Sequence, residues 1–304
     1  MWLLSRFASR LPLDIPNNRS LHERVVPRIG GVAILMSAVP SLGYLWSSAI
    51  ALIAAALATL SFVDDKKGLP IGLRFVAHGA AALALAIWLK PALSYPALAC
   101  VVLATWWMTN LYNFMDGSDG LAGGMAVFGF GAYAIAAYLA GDIAFALAAS
   151  SVTTTAAVFL IFNFPPARVF MGDAGSIPTG FLALAMGSYG YASGYWGAWF
   201  PFVVFSPFIF DATLVLLRRM LIGEKFWTAH RSHYYQRLVQ MGLGHRKTAL
   251  AEYALMLGCA VAALGLRNAS SSLQIVGLCA LTALYLALAL SIDRAWKRFK
   301  ETNA

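Results

Sequence analysis

Ten apolar stretches, at residues 31–47, 48–63, 72–89, 94–112, 121–140, 142–162, 176–193, 196–217, 248–266 and 272–292, leave this chain little besides connections. Each approaches or exceeds the roughly 17 residues with which a helix can cross a bilayer's hydrocarbon. Inside lipid, every backbone N–H and C=O must find a partner within the protein, which confines such runs to helices. The mean hydropathy of +0.71, with only 12% charged residues, exceeds what a soluble core of 304 residues needs. The expected fold is therefore all-α: a polytopic membrane helix bundle of about ten spans. We read residues 1–304 as one integral-membrane domain, with a polar segment at 1–30, a long loop at 218–247 and a tail at 293–304.

Charge orients the bundle. Alternating the spans sorts the loops into two sides, and 20 of the 22 Lys and Arg residues fall on one of them. Only Lys90 and Arg267 fall on the other. The positive-inside bias makes the crowded side cytoplasmic, and the net charge of +9 is mainly this topology signal. It also suits anionic headgroups and phosphorylated substrates. No basic stripe with interleaved aromatics stands outside the spans, so nucleic acid is not an expected partner. Cys100, Cys259 and Cys279 lie in apolar stretches at no ligand-like spacing and read as small hydrophobes. Met1 to Arg10 lacks the features of a signal peptide. Trp2, Leu3, Leu4, Phe7, Ala8 and Leu11 form an apolar face opposite Arg6 and Arg10, either an interfacial helix or the remnant of a lost span.

The polar chemistry gathers on that same side. The wedge Asn110-Leu-Tyr-Asn-Phe-Met-Asp-Gly-Ser-Asp-Gly120 places two asparagines and two aspartates at the mouth of a span, where carboxylates are costly unless they hold a partner. Asn113, Asp116 and Asp119 recur at every third residue and would share a face of a helical turn. Hard oxygen ligands so placed suit Mg²⁺ or Mn²⁺; the plainer alternative is a capped turn. Asp64 and Asp65 close the second span, and neighbouring carboxylates point apart, so one could bind while the other orients; their alternative is pairing with Lys66 and Lys67. Phe170-Met-Gly172-Asp173-Ala-Gly175-Ser176 precedes a span, where free N–H groups meet an anion, unless Asp173 or Ser176 is a simple cap. In the loop from Trp227 to Arg237, His230, Arg231 and His233 read as phosphate donors rather than a zinc site, since only His245 could add a ligand. Asp211 lies eight residues before Arg219, about 12 Å into the bilayer, and reads as structural.

Together these segments resemble the polyprenyl-phosphate N-acetylhexosamine-1-phosphate transferases. The matching pieces are Pro27-Arg-Ile-Gly30-Gly31, Asp64-Asp65, Asn110 to Gly124, Phe170 to Ser176 and His230 to Leu238, in the family's order across residues 14–247. The resemblance implies a bacterial inner-membrane enzyme with its active site facing the cytoplasm. Undecaprenyl phosphate would attack the β-phosphorus of a UDP-HexNAc donor, releasing UMP, with Mg²⁺ as cofactor. It implies Asp173 as metal ligand with Asn113 beside it, Asp119 and Asp116 near uracil, and Phe170 stacked on the base. Asp64, with Asp65, would be the base or the phosphate-orienting group. His230, Arg231 and His233 would hold diphosphate and sugar, and Lys67 and Arg74 are further expected substrate-binding residues. A lipid phosphomonoester has a second pKa of about 6, so a strong base is hardly needed and Asp64 is expected to position the acceptor. An aspartyl-phosphate intermediate is the other route.

Two departures shape the expected substrate. The family has a span before the Pro27 loop, and the spans drawn here include none. The consecutive histidines of the peptidoglycan branch are absent, and His-Arg-Ser-His-Tyr-Tyr-Gln-Arg-Leu resembles instead the branch that initiates O-antigen and capsule chains. UDP-GlcNAc or a 6-deoxy-HexNAc donor (FucNAc or QuiNAc) is expected, and a homodimer is the family expectation. The rival classes are a transporter or flippase for lipid-linked or anionic solutes, and a lipid-phosphate phosphatase. A transporter would place polar groups near the midplane and on both sides, rather than at one face.

Overall fold

The computed structural model describes residues 12–16, 21, 24–224 and 230–303. The apolar face expected over residues 2–11 and the start of the loop at 227–229 lie outside the described residues. A two-residue antiparallel pair, β1 (Leu13–Asp14) with β2 (Val26–Pro27), precedes the bundle. The helices follow as α1 (Gly30–Leu45), α2 (Ser48–Lys67), α3 (Ile71–Leu89), α4 (Tyr95–Met115), α5 (Leu121–Leu139) and α6 (Ile143–Asn163). Then come α7 (Asp173–Ala192), α8 (Trp199–Val204), α9 (Ser206–Leu221), α10 (Tyr234–Leu238), α11 (Gly244–Leu266) and α12 (Ser271–Thr302). The protein is an all-α polytopic membrane bundle. Among the described residues, six helical segments are long and apolar enough to cross a membrane: α2, α3, α5, α6, α12 and the run from α10 through α11.

The apolar stretches drawn from sequence each meet a helix, with one difference. The stretch at 196–217 is broken into α8 and α9. Pro207 has no N–H to give Val203 C=O, and the Ser206 hydroxyl donates to that oxygen instead, at 2.6 Å. A second break, at Gly242 (φ 97°), separates the short α10 from α11.

At the centre stands α7, packed on α1, α2 and α4. Most of its residues are buried, and Gly175, Ser176, Thr179, Gly180, Gly187, Ser188 and Gly190 are interspersed among larger apolar residues such as Ile177, Leu182 and Leu184. Small residues let backbones approach, which is how helices associate without a hydrophobic drive between them. The closest approach is at Gly31 and Gly175, where a Cβ on Gly31 would stand 2.1 Å from Gly175 Cα. That contact ties the start of α1 to the first turn of α7. Gly30 and Gly31 N–H groups reinforce it by donating to Phe170 and Met171 C=O, each at 2.9 Å.

Candidate active site

Because the helices alternate in direction, the ends of α2, α4 and α6 meet the starts of α1, α3, α5, α7 and α11 at one end of the bundle. A cavity of about 180 Å³ opens there, lined by Asn113, Asp116, Asp119, Phe170 and Asp173 from the sequence-derived set. Asp173 occupies the first turn of α7. It does not cap the helix: the cap position is Gly172 (φ 71°), and Ser176 Oγ donates to Gly172 C=O. Asn113 Nδ2 reaches Asp173 Oδ1 and Ser176 Oγ, each at 2.9 Å, and so joins the end of α4 to the start of α7.

Asp64 and Asp65 do not line this cavity and adjoin it only through their partners Arg74 and Arg28. The lysines that follow them are not their partners. Asp64 accepts from Leu69 N–H at 2.6 Å and from Arg74 at 2.9 Å, and the same Arg74 nitrogen lies 4.0 Å from Asp173. Asp65 faces Arg28 at 3.5 Å, while its Oδ2 is buried without a hydrogen bond. Lys67 is exposed at the end of α2. Arg28 also meets Asp14 at 3.5 Å. Burial opposes the Arg28 charge, yet Asp14, Asp173, Asp65 and Asp116 together hold its guanidinium above the ordinary arginine value. Desolvation pushes the Asp116 carboxyl well above the usual range; Arg28 pulls it back in part, and Asp173 adds to the rise. Carboxylates therefore outnumber cations in this cleft. The orphaned Asp65 oxygen and the strained ionisation of Asp116 are what a site built for a further cation shows.

Several lining residues carried no role in the sequence reading: Arg28, Asp14, Asn163 and His245. Asn163 ends α6, accepts from Gly120 N–H and donates to Val169 C=O, both at 2.9 Å, fixing the loops on either side of the cavity. His245 accepts at Nδ1 from Ser118 Oγ (2.9 Å) and Asp119 N–H (3.4 Å), which leaves Nε2–H to donate to Leu21 C=O at 3.0 Å. Asp119 is in turn held by Ala167 N–H at 2.9 Å. From spacing alone His245 enters only where a zinc site is set aside; contacts across more than a hundred residues are what give it a place.

The histidine loop is arranged differently. His233 is buried, with Nδ1 3.1 Å from Asp211 Oδ1, and Asp211 also accepts from Tyr234 and Tyr235 N–H at 3.0 and 3.1 Å. Asp211 thus caps α10 from inside the bundle, the structural role its depth suggested. Tyr235 stacks on His233 and its hydroxyl donates to Phe114 C=O at 3.3 Å, so the loop leans on the end of α4. His230 and Arg231 do not line the acidic cavity. They line a second one, of about 740 Å³, between α9, α10 and the end of α12. Burial, with His233 and Arg219, holds the His230 imidazole down at about 4, so it is neutral at physiological pH.

The comparisons with known proteins agree with this geometry. The family model described as glycosyl transferase family 4 matches residues 47–190. A Bacillus subtilis (strain 168) protein named as a probable undecaprenyl-phosphate N-acetylglucosaminyl 1-phosphate transferase is 29% identical, over 88% of this chain and 81% of its own length. A Mycobacterium leprae decaprenyl-phosphate N-acetylglucosaminephosphotransferase is 28% identical over 83% of this chain and 76% of its own. A Yersinia pestis undecaprenyl-phosphate alpha-N-acetylglucosaminyl 1-phosphate transferase is 25% identical over 95% and 87%. These matches support the polyprenyl-phosphate N-acetylhexosamine-1-phosphate transferase family for this chain. The segment matched to glycosyl transferase family 4 contains Asp64, Asp65, Asn113, Asp116, Asp119, Phe170 and Asp173. Arg28, His245 and the histidine loop lie outside it and are placed by the bundle alone.

Proposed function

We propose that this protein transfers a HexNAc 1-phosphate from a UDP-sugar to undecaprenyl phosphate, giving the lipid-linked diphosphate sugar and UMP. The observation that carries the reading is the convergence of Asp173, Asn113, Asp116 and Arg28 on one cleft, with Asp65 paired to Arg28 and the Asp64–Arg74 pair reaching Asp173 at 4.0 Å from outside the lining. The new bond joins an acceptor phosphate oxygen to the donor's β-phosphorus. The bond that breaks runs from that phosphorus to the bridging oxygen, which leaves with the electron pair on UMP. No proton need be removed from an acceptor that is already largely a dianion. Asp64 fits this, because both its oxygens are engaged, by Leu69 N–H and Arg74. It positions the Arg74 guanidinium, which is then available to the phosphates between the two aspartates. Arg28 supplies a second cation over the same space.

Asp173 and Asn113 are the residues that would hold Mg²⁺, or Mn²⁺, with Asp116 and the open Asp65 oxygen beside them. When bound, such an ion neutralises charge on the diphosphate. Among the described residues no three His, Cys, Asp or Glu side chains form a ready-made cage. That suits Mg²⁺, which keeps water and phosphate among its ligands. We assign the uridine end of the cleft to Phe170 and to Asp119, which is held by Ala167 N–H and flanked by His245. The crowded basic loops favour the cytoplasmic face of the bacterial inner membrane.

For the donor we favour UDP-GlcNAc, since N-acetylglucosamine is the sugar in the names of the Bacillus, Mycobacterium and Yersinia relatives, with a 6-deoxy-HexNAc as the next choice. The pathway proposed is initiation of a surface glycan such as O-antigen. The test is UMP release by purified protein in detergent, with undecaprenyl phosphate, Mg²⁺ and a panel of UDP-HexNAc donors. Release that depends on the lipid and on one sugar supports the reading. Phosphate released without any nucleotide sugar would replace it with a phosphatase, and silence across the panel with intact fold counts against it.

A further inference from the structure

The second cavity is as basic as the first is acidic. Arg218, Arg219, Arg231, Arg237 and Lys300 line it. Arg218 and Arg237 share Asp293, at 2.6 and 2.7 Å, and Arg219 pairs with Glu224 at 2.6 Å. Three arginines are thereby fixed in place, with their positive charge only partly matched, since two share one carboxylate. Among the described residues no carboxylate is recorded in ion-pair reach of Arg231 or Lys300. Lys300 rests on the Trp296 ring at 5.5 Å, and Arg237 lies 6.0 Å from the same ring. The rim, by contrast, is apolar: Leu221 is 82% and Ile222 71% exposed.

This combination has a location. Helix α12 runs apolar as far as Ile292 and charged from Asp293 onward, and α9 ends in exposed Met220 and Leu221 after Arg218 and Arg219. The cavity therefore sits where both helices leave hydrocarbon, beside a tryptophan of the kind found at headgroup level. A soluble anion would use the cations and find no use for Leu221 and Ile222. A molecule with a phosphate attached to hydrocarbon would use both. We propose that this cavity binds the headgroup of an anionic glycerophospholipid, its phosphodiester between Lys300, Arg231 and the Asp293-fixed arginines, and its acyl chains along Leu221 and Ile222. The bound lipid would staple α12, which otherwise touches little of the bundle, to α9 and the histidine loop.

The test is native mass spectrometry of the full-length protein released from detergent with phosphatidylglycerol or phosphatidylcholine. The wild type is expected to retain phosphatidylglycerol in preference to phosphatidylcholine, with a saturable stoichiometry. Lys300→Gln, an exposed change that leaves the acidic cleft untouched, should weaken retention about fivefold, the effect of one basic residue near a headgroup. Arg298→Gln, on the same helix but off the cavity, should leave it unchanged. Equal loss in the two variants, or no preference between the two lipids, overturns the proposal. Full displacement by millimolar inorganic phosphate or UMP also overturns it, by showing a site for free anions. The UMP-release assay in detergent, with undecaprenyl phosphate as acceptor and no added glycerophospholipid, should be the same for Lys300→Gln and wild type, so failure here is distinguishable from failure of the transferase reading.

Discussion

The two cavities are built on opposite plans. The acidic cleft is made by helix ends that converge on α7, and its parts are locked by close backbone contact and by bonds between helices. The basic cavity is peripheral, formed by the ends of α9 and α12 around the histidine loop. Burial follows the same division: only 11% of the apolar window of α12 is buried, against 72% for α5. The comparison teaches that position in the bundle, and not polarity, sets how much a substitution should cost. Changes in the cleft should abolish function or fold, while changes in the basic cavity should only tune.

Asp173→Asn should have the largest effect. It removes a charge on which Asn113 and Arg74 converge, and the loss of such an electrostatic element in phosphoryl transfer is worth about a thousandfold or more in rate. UMP release measures it, with thermal unfolding as control. Retention of more than a tenth of the activity would remove Asp173 from the site.

Gly31→Ala should follow, chiefly through stability. The added methyl meets the Gly175 backbone, which cannot move aside as a flexible side chain could. Overpacking of this kind costs about 1–3 kcal/mol. It should also disturb Met171 and Gly172, through the Gly31 N–H bond, and lower activity with them. Gly79→Ala, where a Cβ would meet only Trp106 at ordinary contact distance, is the control. Equal melting temperatures for the two variants would break the claim that the cleft rests on this backbone contact.

Much of this architecture was legible in the sequence, and for identifiable reasons. Hydropathy marked helices wherever an apolar run faces lipid, and loop polarity marked the end that carries Asp64, Asn113 and Asp173. What spacing could not carry was pairing. Asp64 and Asp65 look like partners for Lys66 and Lys67, yet a helix end aims them instead at Arg74 and Arg28. The break at Phe205 turns on one hydroxyl replacing the N–H that Pro207 lacks. Asp142, the first residue of the stretch drawn at 142–162, instead caps α6, accepting from Phe145 N–H at 2.9 Å.

Asp211→Asn should have a middling effect, because it links the two cavities without lining either. The carboxylate accepts from His233 and from two backbone N–H groups. An amide must present a donor to one of them, so one bond is lost at a buried site, at a cost of about 1–3 kcal/mol. The loop should loosen, with faster hydrogen exchange at Tyr234 and Tyr235 and a modest fall in UMP release. Exchange unchanged at those two amides would mean that α10 is held by something other than this cap.

The smallest effect should come from His230, and its sign is set by burial. The folded protein holds this imidazole down at about 4, below the ordinary histidine value near 6.5, so the fold favours the neutral form. Its contribution is fully present above the unfolded pKa and is lost as pH falls through roughly 6.5 towards 4. The melting temperature should therefore decline across that interval, and His230→Gln, which cannot take up a proton, should flatten the decline slightly. The same substitution should leave Asp173-dependent UMP release nearly intact at neutral pH if His230 belongs to the basic cavity, as its lining position indicates. A loss approaching that of Asp173→Asn would place His230 in the acidic cleft during turnover and collapse the distinction between the two cavities.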